Sequence, residues 1–227
     1  MATDWAASAL DWWEEAGVDT IVGEQPRDWL KPQSAAAPAR AGAAQEALPA
    51  DPEAFRTWLL ASDAFPAGPR VGPSGDPAAG LMMLIDMPGQ DDARAGTLLS
   101  GDLGAMFDRM LGTMKRDRAS IYLASVLPVW SPTGRLPKDD VARLAEIARH
   151  HIGLAAPRAL LLFGDECAKA LLGLPMTAAR GRPHSLETPA GPILTFVTMS
   201  LPFLLNQPER RRDAMADLKL LTEELEP

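Results

Sequence analysis

Cysteine is nearly absent from this sequence, with Cys167 as the single example among 227 residues. One thiol cannot form a disulfide within the chain. It also cannot supply the four thiolates of a structural zinc site or an iron–sulfur cluster. The cysteine count therefore predicts a protein without a metal site, and we expect no cofactor.

Basic charge and long apolar runs are scarce as well. The sequence has 22 lysines and arginines and 30 aspartates and glutamates, for a net charge of −8. This charge argues against binding nucleic acid or an anionic membrane through overall charge. A local basic patch stays possible. No run approaches the roughly 18 apolar residues of a membrane span, and MATDWAASAL lacks the pattern of a secretory signal. We expect a cytoplasmic monomer that is not bound to a membrane.

Three segments differ in composition. Residues 1–30 include DWAASALDWWEEA, whose tryptophans can share one face of a helix, so a helical N-terminal segment is predicted. Residues 31–50 are rich in alanine and proline and lack β-branched and aromatic residues, which is typical of a linker. Residues 51–227 then predict one folded domain, and a hydrophobic content of 47% is enough for its core.

Short apolar runs alternate with helical patterns in this domain. Strands are predicted at 81–85, 121–127, 159–163 and 193–197, and helices at 51–62, from 103, from 137 to Gly153, from 165 to 173 and from Asn206. This alternation is typical of a three-layer α/β/α fold with a four-stranded, mainly parallel sheet. Ligands of such sheets bind beyond the carboxyl ends of the strands. The segments to inspect are therefore 86–92, 125–130, 164–166 and 198–206.

The chain carries five short motifs in order between residues 81 and 221. They read IDMPG at 85–89, DRML at 108–111, YLAS at 122–125, RGR at 180–182 and TMSLPFLLNQP at 198–208. The ordered set resembles the uracil-DNA glycosylase superfamily, most of all its iron–sulfur group, often called family four. The four cluster cysteines of that group are absent, and one of their positions aligns near Val129.

The resemblance implies removal of a base from DNA after the nucleotide has been flipped into a pocket. Asp86 stands at the family's acidic position, where its carboxylate could act in catalysis or could cap a loop through backbone amides; both interpretations stay open. Asp92 is the second catalytic candidate. The resemblance places Met87, Pro88 and Gly89 against the substrate.

Three further pocket positions depart from the family. Leu99 replaces a phenylalanine that stacks on the base, and Ser125 replaces an asparagine that reads its edge. Ser200 replaces the histidine that stabilises the departing base and is kept as a weak catalytic donor. The replacements predict that uracil release is very weak or absent. Asp86, Ser125 and Ser200 are nevertheless expected to converge, with Asp86 and Ser200 within about 15 Å of each other.

DNA contacts are predicted in the last motif and the helix that follows it. Phe203 and Leu204 are either a wedge into the duplex or core packing, and Arg210 is either a phosphate contact or part of a solvated charge run. His150 and His151 are expected to complement a helix dipole, and His184 to lie in a surface loop.

Two functions remain open from the sequence. The first is a DNA base-excision N-glycosidase, or a weakened descendant of one, in which Asp86 or Asp92 is the working carboxylate. The alternative is a catalytically inactive relative that binds DNA or a protein partner.

Overall fold

The computed structural model describes residues 47–225. The predicted helical segment at 1–30 and most of the predicted linker at 31–50 lie outside the described residues. Within the described range, no helix combines the length and the apolar character needed to cross a membrane.

Helices and strands alternate along the described chain, as the sequence predicts. The helices are α1 (Pro52–Ala61), α2 (Gln90–Ala95), α3 (Gly101–Thr113), α4 (Val141–Ala155), α5 (Asp165–Leu172), α6 (Met176–Ala179), α7 (Leu201–Asn206) and α8 (Arg211–Leu225). The strands are β1 (Ser74–Gly75), β2 (Leu81–Ile85), β3 (Tyr122–Ser125), β4 (Ala159–Phe163), β5 (His184–Thr188) and β6 (Gly191–Thr198).

The strands form one sheet in the order β1-β3-β2-β4-β6-β5. Its four central strands are parallel and correspond to the four predicted strands. Two antiparallel edge strands, β1 and β5, were not predicted and make the sheet six-stranded within the described residues. The strand order reverses at β2, which is flanked by β3 and β4. In open α/β sheets such a reversal opens a crevice at the carboxyl ends of the strands.

Helices cover both faces of the sheet, and this confirms the predicted three-layer α/β/α architecture. All five residues of β2 are buried, as expected for a central parallel strand. Met83 and Ile85 pack with α3 and α8, whereas Met82 and Leu84 pack with α1, α4 and α5 on the other face. The predicted inner face of the last helix is also confirmed, because Ala214, Leu218, Leu221 and Leu225 are buried.

Some predicted helix boundaries are wrong. Gly153 does not end α4, which continues to Ala155. A methyl group at Gly153 would lie 3.3 Å from Pro189 Cδ in the turn between β5 and β6, so close packing explains this glycine better than helix termination does. Asn206 ends α7, a helix that was not predicted, rather than beginning the last helix.

The roles predicted for His151 and His184 are also wrong. His151 is 5% exposed, its Nε2 lies 2.8 Å from Tyr122 Oη, and burial lowers its pKa to about 4. A histidine that is neutral at pH 7 cannot complement a helix dipole. His184 lies in β5 rather than in a loop, and its Nε2 is 2.7 Å from the Ala179 carbonyl.

Candidate active site

A cavity of about 280 Å³ opens at the carboxyl ends of β2 and β4, where the strand order reverses. Its wall comes from the loop after β2, the segment before α3, the loop after β3 and the start of α7. The lining residues include Asp86, Pro88, Leu99, Trp130, Ser200 and Pro202. The location is the one that the strand pattern predicts for a ligand.

Asp86 connects two neighbouring strands at this cavity. It follows β2 directly, and its Oδ1 accepts a hydrogen bond of 2.7 Å from the Cys167 amide in the first turn of α5, the helix that follows β4. Asp86 therefore caps a helix through one oxygen and also lines the cavity, so the two sequence interpretations of this residue are compatible.

The protonation of Asp86 is shifted towards neutral pH. Burial raises the pKa of the carboxyl from its ordinary 3.8 to about 6, while hydrogen bonds from Cys167 lower it in part. The neighbouring carboxylates of Glu166 and Asp165 raise the pKa further, since they repel a third negative charge. A carboxyl group that changes charge near pH 6 is well matched to acid–base chemistry in a cell.

Gly164 allows Asp86 and Ser200 to approach each other. Its φ of +101° and ψ of 175° lie in a region that is essentially restricted to glycine. A methyl group at this position would lie 2.6 Å from Asp86 Oδ2 and 3.1 Å from Ser200 Cβ. The absence of a side chain at Gly164 thus lets Asp86 and Ser200 lie close together, which confirms their predicted proximity.

Asp92 is buried at the cavity edge, and backbone amides engage both of its oxygens. Oδ2 accepts a hydrogen bond of 2.9 Å from the Gly89 amide, and Oδ1 accepts one of 2.6 Å from the Ser100 amide. The side chain thereby links the start of α2 to the start of α3. This arrangement supports a structural role, and the catalytic role of Asp92 stays a prediction without a specific contact behind it.

Leu99 lines the cavity in a strained backbone conformation, with φ at +54°. Arg118 stabilises this turn, because its guanidinium donates to the carbonyl oxygens of Leu98 at 3.0 Å and Leu99 at 2.7 Å. Gly104 leaves room for the Leu99 carbonyl, since a methyl group there would clash with it. An aliphatic side chain thus occupies the predicted stacking position.

Ser200 lines the cavity, whereas Ser125 does not. Ser200 lines the cavity at the start of α7, as do Met87, Pro88 and Gly89 in the loop after β2. Ser125 ends β3 opposite Ile85, is 7% exposed and is not among the residues that line the cavity. The predicted convergence is therefore confirmed for Asp86 and Ser200. Ser125 stands at the carboxyl end of the neighbouring strand β3, and its contact with a base stays a prediction without a specific contact behind it.

The residues predicted to contact DNA differ in their exposure. Phe203 is exposed, at 37%, whereas Leu204 is fully buried in the core and cannot reach DNA, so that assignment is corrected. Successive residues of the short helix α7 point in different directions, which explains why only one of the two can be a wedge. Arg210 is exposed and pairs with Asp213 at 3.1 Å, an arrangement typical of a solvated charge run.

Trp130 was not named as a site residue, although it lies in the segment after β3 that the strand pattern marks for inspection. It lines the cavity and is 37% exposed, and Ser131 and Gly134 of the same loop also line it. Its position beside a strand end was the available signal. None of the motifs that carry the resemblance includes it.

The residues do not fit the iron–sulfur cluster that the resemblance implies. Cys167, the single cysteine, is buried, and its thiol lies 3.7 Å from the Leu84 carbonyl. Val129, near one lost cluster position, is buried, and its Cγ1 would lie 2.8 Å from a methyl group at Gly68. Among residues 47–225 no group of three or more histidine, cysteine or acidic side chains could hold a metal ion.

A larger cavity, of about 570 Å³, is lined by α1, the segment from Arg70 to Pro77 and the hydrogen-bonded Tyr122–His151 pair. Tyr122 is the first residue of β3, so this space adjoins the amino end of a parallel strand. We assign the active site to the smaller cavity, because it holds Asp86 and the carboxyl ends of the central strands.

Two comparisons with known proteins agree with this geometry. A family model described as the uracil DNA glycosylase superfamily matches residues 73–219. A type-4 uracil-DNA glycosylase of Pyrobaculum aerophilum is 26% identical over 101 residues, which cover 44% of this chain and 52% of that protein. The match thus spans about half the length of this curated relative. Because the family model covers more than half of the chain, the chain belongs to the uracil DNA glycosylase superfamily.

Proposed function

We propose that the domain is a DNA base-excision N-glycosidase, or a weakened descendant of one, with Asp86 as the working carboxylate. The observation that carries this proposal is the geometry of Asp86. One oxygen is fixed by the Cys167 amide, and the residue lines a cavity large enough for one flipped nucleotide base.

Hydrolysis of the bond between sugar and base separates charge. As the bond breaks, positive charge develops on the sugar and negative charge on the departing base; the oxygen of water then joins the sugar carbon, and a proton ends on the base. An ionised carboxylate in a partly desolvated cavity stabilises the cationic sugar or accepts the proton from water. Asp86 is ionised above its pKa of about 6, so we expect release to increase as the pH rises through that value.

Stabilisation of the departing base is the weak point of the site. Ser200, a hydroxyl donor of the cavity wall, lies close to Asp86 across Gly164. A neutral hydroxyl is a weaker donor to a developing anion than a preorganised histidine. Loss of one strong donor of this kind typically lowers the rate by a factor of about 100 or more. We therefore propose slow release rather than release at the rate of an intact family site.

A strand-cleavage gel assay tests the function directly. Short DNA strands, each with a single uracil, hypoxanthine or other damaged base, are incubated with the protein, and abasic sites are then cleaved with alkali. Slow base release that disappears in Asp86→Asn supports the proposal. Release that is unchanged in Asp86→Asn would show that another residue performs the chemistry.

Restoring a histidine at position 200 is expected to increase uracil release by about tenfold or more, since the side chain would enter the cavity next to Asp86. Single-turnover rates of Ser200→His and of the unmodified protein provide the measurement. Ser125→Asn is the matched control and should change the rate little, because Ser125 is not part of the cavity wall. Equal gains from both variants would contradict this placement of the site.

Leu99 and Ser200 favour a second candidate function, a relative that binds a base without cleaving it. Both residues line the cavity and both lack the aromatic or cationic character that the resemblance predicts there. Base-dependent DNA binding with no release of any tested base, also in Ser200→His, would support this alternative.

DNA is the partner that family membership favours, and we propose that a monomer acts on it in the cytoplasm. The net charge of −8 favours contact through a local surface rather than through the whole protein. Light scattering of the protein with and without a DNA strand tests the stoichiometry.

A further inference from the structure

Trp130 is a large aromatic side chain exposed at the edge of the candidate active site. Three large hydrophobic residues among those described are exposed by more than a third: Leu60, Trp130 and Phe203. Trp130 lines the cavity that holds Asp86, and Phe203 follows Pro202, another lining residue. The partly exposed indole thus offers an aromatic surface at the cavity that a bound ligand can cover.

The backbone on both sides of Trp130 is anchored. Before it, Val129 pairs with Arg70 in an isolated bridge, and the Pro128 carbonyl accepts a hydrogen bond of 2.9 Å from the Val71 amide. After it, a turn closes between Ser131 and Gly134, with 3.1 Å between amide and carbonyl. The loop then continues to Leu136, whose amide donates to Glu166 at 3.0 Å. The indole therefore projects from a fixed loop rather than from a mobile one.

The side chain of Trp130 has no aromatic neighbour in the described part of the chain. The aromatic pairs found there join Phe55, Trp58, Phe65, Phe107, Tyr122, Phe163 and two histidines, none of them with Trp130. Aromatic stacking on a nucleobase contributes roughly 1–3 kcal/mol to binding. Phe163 also lines the cavity, but it is 1% exposed and packs edge-on against Phe107 in the core. The remaining apolar residues of the wall, among them Leu99, Pro88 and Pro202, are not aromatic.

We propose that Trp130 is the platform on which the bound nucleobase stacks, and that stacking rather than edge reading sets the base preference of this cavity. The inference rests on the proposed function, because it assigns a nucleobase to the same cavity. Ser125 lies outside the wall, so no residue reads the base edge in the way the resemblance predicts. Selectivity that depends on stacking favours bases with a larger aromatic surface, so a purine should bind more tightly than uracil.

Binding to uncleavable strands tests this without requiring catalysis. Fluorescence anisotropy is measured for single strands with a central 2′-fluoro nucleotide bearing hypoxanthine or uracil, and for a strand with an abasic analogue there. Trp130→Ala should weaken binding of the hypoxanthine strand by roughly thirtyfold, the middle of the range for one stacked base, and leave the abasic strand unchanged. Trp130→Phe should retain most of the affinity.

Leu60→Ala is the matched control, because Leu60 has nearly the same exposure, at 38%, but lines the larger cavity. Leu60→Ala should change the affinity for neither strand. Equal weakening of both strands by Trp130→Ala, or no base-dependent binding by the unmodified protein, would overturn the inference. Tighter binding of uracil than of hypoxanthine would overturn the stacking preference. If Trp130→Ala selectively loses base-dependent binding while no base is ever released, the inference stands and the proposed glycosidase activity fails.

Discussion

Asp86→Asn is expected to abolish base release and to make the protein more stable at pH 8. Asparagine keeps a carbonyl oxygen that can accept the hydrogen bond from the Cys167 amide, but it removes the buried charge. The pKa of Asp86 rises from its ordinary 3.8 to about 6 on folding. A difference of about two pKa units corresponds to about 3 kcal/mol of free energy that opposes folding when the carboxyl is ionised.

The pH dependence of this effect has a defined sign. Because the pKa is raised in the folded state, the folded protein holds the proton more tightly, and that contribution to stability is lost as the pH rises through about 6. The stability gain of Asp86→Asn should therefore be largest at pH 8 and should shrink towards pH 4. Urea denaturation at both pH values measures it.

Asp86→Ala separates charge from hydrogen bonding. It removes the charge as well, but it leaves the Cys167 amide without its acceptor, a loss that costs about 1–3 kcal/mol. We expect Asp86→Ala to be clearly less stable than Asp86→Asn at every pH. An Asp86→Asn protein that is less stable than the unmodified one at pH 8 would contradict the account of a desolvated carboxylate.

Gly164→Ala is expected to destabilise the fold by about 3 kcal/mol or more and to eliminate activity. A side chain in this backbone region is strained, and the added methyl group would overlap Asp86 Oδ2 at 2.6 Å. Asp86 is held by α5 through the Cys167 amide and cannot move away without losing that bond. Chemical denaturation and the cleavage assay provide the two measurements.

Gly173→Ala is the matched control at the other end of the same helix. Its φ is +68°, and nothing lies within 4 Å of the added methyl group, so only the left-handed backbone cost of about 1–2 kcal/mol applies. Activity should be retained. Similar losses of stability and activity in the two variants would show that the crowding between Asp86 and Ser200 is unimportant.

The central strands were predictable because burial on both faces leaves a continuous apolar signal. The run from Leu81 to Ile85 corresponds to β2 without a shift at either end. Strand β5 was missed because it is a partly solvated edge strand, with Leu186 as its one buried residue, and its polar sequence carries no such signal. Edge strands are defined by their partner, here β6, and a partner is not visible in a local pattern.

The location of the site was predictable from the sequence, whereas many of its contacts were not. Asp86 and Ser200 meet because both follow central strands. The amide that holds Asp86 belongs to Cys167, 81 residues further along the chain, and no spacing marks that bond. The environment of His151 depends in the same way on Phe55 and Tyr122, which pack against it from other elements. Such roles depend on contacts between residues that are distant in the chain, and no local sequence pattern indicates those contacts.

The hydrogen bond between Asp86 and Cys167 makes one backbone amide a spectroscopic probe of the active site. The amide proton of Cys167 points at the carboxyl group whose charge matters for catalysis, and it belongs to the single cysteine of the chain. In a sample with ¹⁵N-labelled cysteine, the amide spectrum should therefore show one signal, whose chemical shift follows the protonation of Asp86 near pH 6. Addition of an uncleavable DNA strand should move the same signal, so that occupancy of the cavity and its charge can be observed together in the folded protein.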